Sequence, residues 1–207
     1  MKTFEDQSKA CPVVAILRGI TPDEMIGVCE VLREAGIRLL EVPLNSPDAV
    51  ESIRRAAEKY HGGDELLVGA GTVLTPEAVR EVAAAGGKFI ISPDMNPEVI
   101  RETKKLGLVS CPGFFTATEA FTALRAGADY LKLFPAGVVG PGYIKDLKAV
   151  VKAPILAVGG VNAANLPEFL KVCAGAGIGS ALYKAGKPLE AVAADARRFV
   201  ETARSAN

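Results

Sequence analysis

Histidine is almost absent from this chain. The 207 residues hold one, His61, inside the polar run His61-Gly62-Gly63-Asp64. That run reads as a surface turn, which leaves histidine-based catalysis without its usual residue. Excess charge of either sign is also absent, since 24 Lys+Arg balance 24 Asp+Glu. A nucleic-acid binder ordinarily carries a basic surplus, so no nucleic-acid partner is expected. A local positive pocket for an anionic metabolite remains open. Cysteine is sparse: Cys11, Cys29, Cys111 and Cys173 stand far apart with no C-x-x-C pair. They read as reduced thiols used as small apolar residues rather than as a metal site, as in a cytoplasmic protein. No apolar run is long enough to span a bilayer. The segment Met1 to Ala10 is polar and lacks the apolar run of a signal peptide. A cytoplasmic protein with no membrane partner is therefore expected. No linker or low-complexity stretch interrupts residues 1–207, so one domain is expected.

What is present is one pattern, repeated. Short runs rich in Val, Ile and Leu occur at Val13–Arg18, Ile37–Pro43, Leu66–Thr72, Lys88–Pro93, Leu108–Pro112, Asp129–Phe134, Pro154–Gly160 and Ala174–Ser180. Each reads as a parallel strand covered on both faces. Amphipathic segments separate them and open with helix-start chemistry. Capping boxes stand at Thr21-Pro22-Asp23-Glu24 and Thr116-Ala117-Thr118-Glu119. Cap-then-proline pairs stand at Ser46-Pro47, Thr75-Pro76 and Asn96-Pro97. Gly140-Pro141, Asn162 and Lys187-Pro188 are taken to open the last three helices, and a short helix is expected before the first strand. Eight strand–helix units predict an α/β fold of the TIM (β/α)8 barrel type. An open doubly wound sheet is the alternative. It is disfavoured because no strand leads into a dinucleotide fingerprint; Gly69-Ala70-Gly71 alone is not one.

Active sites of such barrels lie at the C-terminal ends of the strands, and alternate residues of each strand face inward. Taking every second residue aligns Val14, Ile16 and Arg18; Ile37, Leu39 and Glu41; Val68, Ala70 and Thr72; and Tyr130, Lys132 and Phe134. Arg18, Glu41, Thr72 and Lys132 then converge on one cavity. Lys88 starts its strand and is expected at the opposite end. A lysine among aliphatic residues has two explanations. One is a structural ion pair with Glu41, which seldom outperforms apolar packing. The other is chemistry: burial and nearby positive charge favour the uncharged amine, which attacks a ketone. Glu41 would then move the protons, directly or through one water. That route requires neither metal nor organic cofactor. Val158-Gly159-Gly160-Val161-Asn162 and Ile178-Gly179-Ser180 end the last two strands. Glycines and a following helix N-terminus there suit a phosphate, with Lys184 as a further positive charge. Tight turns alone would also explain the glycines. Phe114 and Phe115 are read as packing residues or as part of the cavity mouth.

Four segments carry a resemblance. Ala15-Ile16-Leu17-Arg18-Gly19-Ile20, Gly69-Ala70-Gly71-Thr72-Val73-Leu74, Leu131-Lys132-Leu133-Phe134-Pro135-Ala136 and Val158-Gly159-Gly160 resemble the signatures of the 2-keto-3-deoxy-6-phosphogluconate and -galactonate aldolases. The resemblance implies a class I, Schiff-base lyase that cleaves a phosphorylated 2-keto-3-deoxy sugar acid to pyruvate and glyceraldehyde 3-phosphate. It implies Lys132 as the imine-forming residue and Glu41 as the acid/base. It implies Thr72 at the pyruvate carboxylate, with Pro93 and Phe134 shaping the pocket. Arg18, Gly160, Gly179 and Ser180 would hold substrate, the last three at the phosphate. A homotrimer is also implied. Glu41-Val42-Pro43-Leu44-Asn45-Ser46-Pro47 resembles the galactonate type, since the gluconate type carries arginine where Asn45 stands. Val158 stands where that type often has threonine, and valine cannot hydrogen-bond a substrate hydroxyl. Phe114-Phe115 departs from the galactonate pattern, in which smaller residues stand. A gluconate-specific or dual-specificity enzyme, a phosphate-binding isomerase or synthase, and a non-catalytic metabolite-binding barrel remain the alternatives.

Overall fold

A computed structural model of the chain describes residues 2–60 and 65–206. The expected turn at His61 lies outside the described residues. Within them run the strands β1 (Val13–Ile16), β2 (Leu39–Pro43), β3 (Leu67–Gly71), β4 (Phe89–Ile91), β5 (Val109–Cys111), β6 (Gly113–Phe114), β7 (Leu131–Leu133), β8 (Ile155–Val158) and β9 (Gly175–Ile178). All pair in parallel, in the order β5-β4-β3-β2-β1-β9-β8-β7-β6. The two ends of that order, β5 and β6, are consecutive in the chain, so they form a single barrel strand divided at Pro112. Proline has no N–H to give the ladder. Its carbonyl still accepts the backbone N–H of Lys132, at 2.8 Å. The ring thus closes as the expected eight-stranded barrel, and it closes beside the lysine.

Helices α2 (Pro22–Ala35), α3 (Ala49–Lys59), α4 (Pro76–Ala84), α5 (Pro97–Lys105), α6 (Ala117–Ala126), α7 (Ala136–Leu147), α8 (Leu166–Leu170) and α9 (Leu189–Ser205) follow the successive barrel strands. Their starts match the expected caps at Thr21, Thr75, Asn96 and Thr116; for example, Thr75 accepts from the Ala78 N–H and Asn96 from the Glu98 N–H. Two starts differ, and α7 begins earlier than expected. The helix after β2 begins past Asp48, which is left-handed and makes no side-chain cap bond, and not at Ser46. Gly140-Pro141 does open a helical segment as expected, since Gly140 is non-helical at φ 72° and the helix runs on from Pro141; a shorter segment from Ala136 precedes it, and the two meet at this kink within α7. Asn162 caps a turn instead, accepting from the Ala164 and Asn165 N–H groups, and α8 begins only at Leu166.

Two apolar layers result. Val13, Ala15, Leu17, Leu40, Val42, Leu131, Leu133, Ile155 and Ala157 pack outward against the helices. Val14, Ile16, Leu39, Leu67, Phe89, Ile91, Cys111, Tyr130, Leu156 and Val158 fill the lumen. The first helix, α1 (Phe4–Ala10), closes the lower end. Phe4 enters the lumen edge-on to Phe89 and Tyr130, with ring centroids 5.1 and 4.8 Å away. Lys88, at the foot of β4, is exposed. In strand three the expected alternation is reversed. Val68 and Ala70 belong to the outer layer, while Leu67, Gly69 and Gly71 face inward. Ile37 likewise precedes β2 and packs in the outer layer. All of this core is apolar and dense, so truncating the plug is costly: F4A is expected to lower the unfolding free energy by about 3 kcal/mol, read from the denaturant midpoint.

Candidate active site

A cavity of about 750 Å³ opens at the C-terminal ends of the strands, a size suited to a small metabolite. Its wall contains Arg18, Glu41, Thr72, Pro93, Lys132, Phe134, Val158, Gly159, Gly160, Gly179 and Ser180, so the structure brings every candidate site residue to one place. Lys184 is on the same wall. Phe114 and Phe115 are not. Phe114 is buried in the outer layer, and Phe115 stacks on Tyr143 at 6.2 Å. Their bulk therefore does not narrow the cavity.

Glu41 and Lys132 arrive there by strand alternation. Glu41 pairs in register with Ile16 and Gly69, and Lys132 with Gly113 and Leu156. Both are buried, with exposures of 1% and 6%. The Lys132 ammonium position lies 5.3 Å from the Phe134 ring centre. Among the described ion pairs there is none between Lys132 and Glu41, so the structural ion pair considered from sequence does not form. Glu41 Oε2 is buried without a hydrogen-bond partner among the described residues. Burial pushes this carboxyl above its ordinary 4.5, and the positive charges of Lys132 and Arg18 offset that only in part.

Thr72 reaches the cavity by another route. It lies one residue past β3 and takes a left-handed backbone, φ 57°, which is unusual for a β-branched residue. The turn swings its side chain to the wall although Ala70 faces the helices. Gly71, just before it, has a different reason to be glycine. A Cβ there would fall 1.7 Å from Glu41 Oε1, so the missing side chain is the space the carboxylate occupies.

The glycine pair after β8 is also conformational. Gly159 and Gly160 both take left-handed φ, 87° and 79°. The loop is tied from behind: Asn165 Nδ2 donates to the Gly160 carbonyl at 2.9 Å, and the Asn162 N–H donates to Asn165 Oδ1 at 2.8 Å. The helix N-terminus expected there contributes little, because α8 has only five residues and starts past this loop. After β9 the chain runs on to Leu189 before the next helix. Any anion recognition here falls to loop N–H groups, Ser180 and Lys184.

Sequence reading missed two features of this site. One is the hydrogen bond from Arg18 Nη1 to Asn45 Oδ1, 2.7 Å long, which joins residues 27 apart. The other is the fit of Gly71 to Glu41. Neither has a local signature, since each depends on two strands being neighbours.

A family profile described as "Aldolase: KDPG and KHG aldolase" matches residues 4–195. The chain belongs to the KDPG and KHG aldolase family. It is 49% identical over 198 residues to the 2-dehydro-3-deoxy-6-phosphogalactonate aldolase of Escherichia coli (strain K12), covering 94% of this chain and 96% of that one. It is 45% identical over 178 residues to a probable 2-dehydro-3-deoxy-6-phosphogalactonate aldolase of Rhizobium meliloti (strain 1021), covering 84% and 83%. A solved structure described as "Native KDPGal structure" superposes with a TM-score of 0.91 at 48% identity, covering 94% of this aldolase and 95% of that chain.

The Glu41 shift has a consequence for the stability of this aldolase. Below pH 4.5 the carboxyl is protonated both folded and unfolded. As pH rises past that value the unfolded chain loses the proton first, so the folded state is progressively disfavoured until its own, higher pKa is passed. E41Q removes that cost. The variant is expected to melt above the native protein at about pH 8, with the gain vanishing at about pH 4. Calorimetric scans across this range are the check, and a gain that is flat with pH would contradict the assignment.

Proposed function

We propose that this chain is a class I aldolase of one domain spanning residues 1–207, acting on 2-dehydro-3-deoxy-6-phosphogalactonate. The observation that carries this reading is Lys132 buried in a ketone-sized cavity beside the carboxylate of Glu41, unpaired with it. Lys132 Nζ, as the free amine, attacks C2 of the substrate. The carbinolamine loses water to give an iminium. Glu41 takes the proton of the C4 hydroxyl as the C3–C4 bond breaks, and the electron pair moves into the iminium to form an enamine. Glyceraldehyde 3-phosphate leaves. Glu41 returns a proton to C3, and water hydrolyses the imine to release pyruvate. A carboxyl raised by burial suits a group that must both accept and donate near neutrality. Neither a metal nor a separate cofactor takes part.

In this reading Arg18 and Thr72 hold the carboxylate, and Pro93 and Phe134 shape the pocket around C2. Gly159, Gly160, Gly179, Ser180 and Lys184 meet the phosphate. Phosphorylated substrates and free thiols fit a cytoplasmic location. A homotrimer fits the exposure of Phe134 and of Val138, 43% and 75%, beside the cavity.

Two experiments test the reading. Borohydride reduction in the presence of pyruvate is expected to leave a stable adduct on Lys132, and K132A is expected to lose both adduct and turnover. Activity that persists in native protein after such reduction would favour an isomerase or synthase that works without an imine. The second experiment compares pyruvate release from the galactonate and gluconate epimers. Galactonate is expected to be preferred, because Val158 gives the C4 hydroxyl no hydrogen-bond partner on that wall. V158T is expected to shift the preference toward gluconate by about tenfold. A native enzyme that favours gluconate would sink the substrate assignment while leaving the imine intact.

A further inference from the structure

Arg18 stands just past β1, on the cavity wall, with its charge felt by Glu41. Two contacts hold it, both from the loop after β2. Its Nη1 donates to Asn45 Oδ1 at 2.7 Å, and the next backbone N–H, of Gly19, donates to Ser46 Oγ at 2.9 Å. Ser46 is buried, so the backbone anchor is firm. Asn45 itself is not on the cavity wall and so acts through Arg18.

We propose that Asn45 is a positioning residue whose neutrality matters: it orients the Arg18 guanidinium over the cavity without neutralising it, so that the enzyme selects ketones bearing a carboxylate next to the carbonyl. An amide oxygen accepts one of the five guanidinium N–H donors and leaves the rest, and the full charge, for the ligand. A carboxylate in the same place would make the same hydrogen bond but also an ion pair, competing with the substrate for the guanidinium. An alanine would leave the charge but release the side chain. This inference rests on the imine reading above.

The test uses the full-length protein and two ketones of nearly equal size, pyruvate and its neutral amide, pyruvamide. Borohydride-dependent modification of Lys132 is measured against the concentration of each. The native protein is expected to prefer pyruvate. N45D is expected to reduce that preference about threefold, the scale of an ion pair between exposed side chains, with N45A lying between the two. A general disturbance of the fold would weaken both ketones alike and leave their ratio unchanged. An unchanged ratio in N45D, or a larger loss in N45A than in N45D, overturns the proposal. If native protein forms no adduct with either ketone, the imine reading itself fails and the proposal falls with it.

Discussion

The structure turns on a carboxylate taken out of water. Glu41 is 1% exposed, one of its oxygens lacks a protein hydrogen bond among the described residues, and the other lies against Gly71. Burying such a group opposes folding unless nearby charge or a proton relieves it. Relief here is partial and comes from Lys132, on β7, and Arg18, just past β1. The cost is tolerable only because the rest of the lumen is continuous apolar packing. The same condition suits the group to proton transfer, since a carboxyl raised by burial holds a proton more readily than an exposed one.

Much of the surrounding architecture can be understood as serving that arrangement. The ring closes at Pro112, whose carbonyl holds the Lys132 backbone. Phe4 packs into the lower end of the lumen against Phe89 and Tyr130. The absent side chain at Gly71 leaves room for Glu41, and the left-handed turn at Thr72 brings a hydroxyl to the same wall. The loops after β8 and β9 stand across the mouth, where two left-handed glycines and a doubly bonded Asn165 set the backbone. In the proposed function this separates chemistry from recognition, with Lys132 and Glu41 on strands and the phosphate-binding groups on the loops above them.

In the proposed reading, selectivity follows from neutral groups as much as from charged ones. Val158 offers no partner to a hydroxyl. Asn45 holds a guanidinium without cancelling its charge. In a cavity with Arg18 and Lys184 on its wall beside Lys132, the uncompensated charge decides where an anionic group sits.

The barrel was legible in the chain because its signals are local. Apolar runs at regular spacing gave the strands, and caps at Thr21, Thr75, Asn96 and Thr116 gave the helix starts. Lys132 and Glu41 stood out because a charged residue inside such a run is costly wherever the strand lies. Strand three is not legible in this way because its two inward glycines, Gly69 and Gly71, carry no apolar signal, while Val68 and Ala70, which do, face the helices. Thr72 was correctly brought to the cavity but for the wrong reason, as a backbone dihedral and not alternation puts it there. Helix starts at Ser46 and Asn162 are displaced because a turn uses the same residues as a cap. Sequence by itself therefore determined the repeat, the closed ring and the two buried charged residues, each written in neighbouring positions. Only the tertiary structure decided that Glu41 fits against Gly71, that Arg18 leans on Asn45, and that Lys132 and Glu41 do not pair, because each depends on distances between segments far apart in the chain.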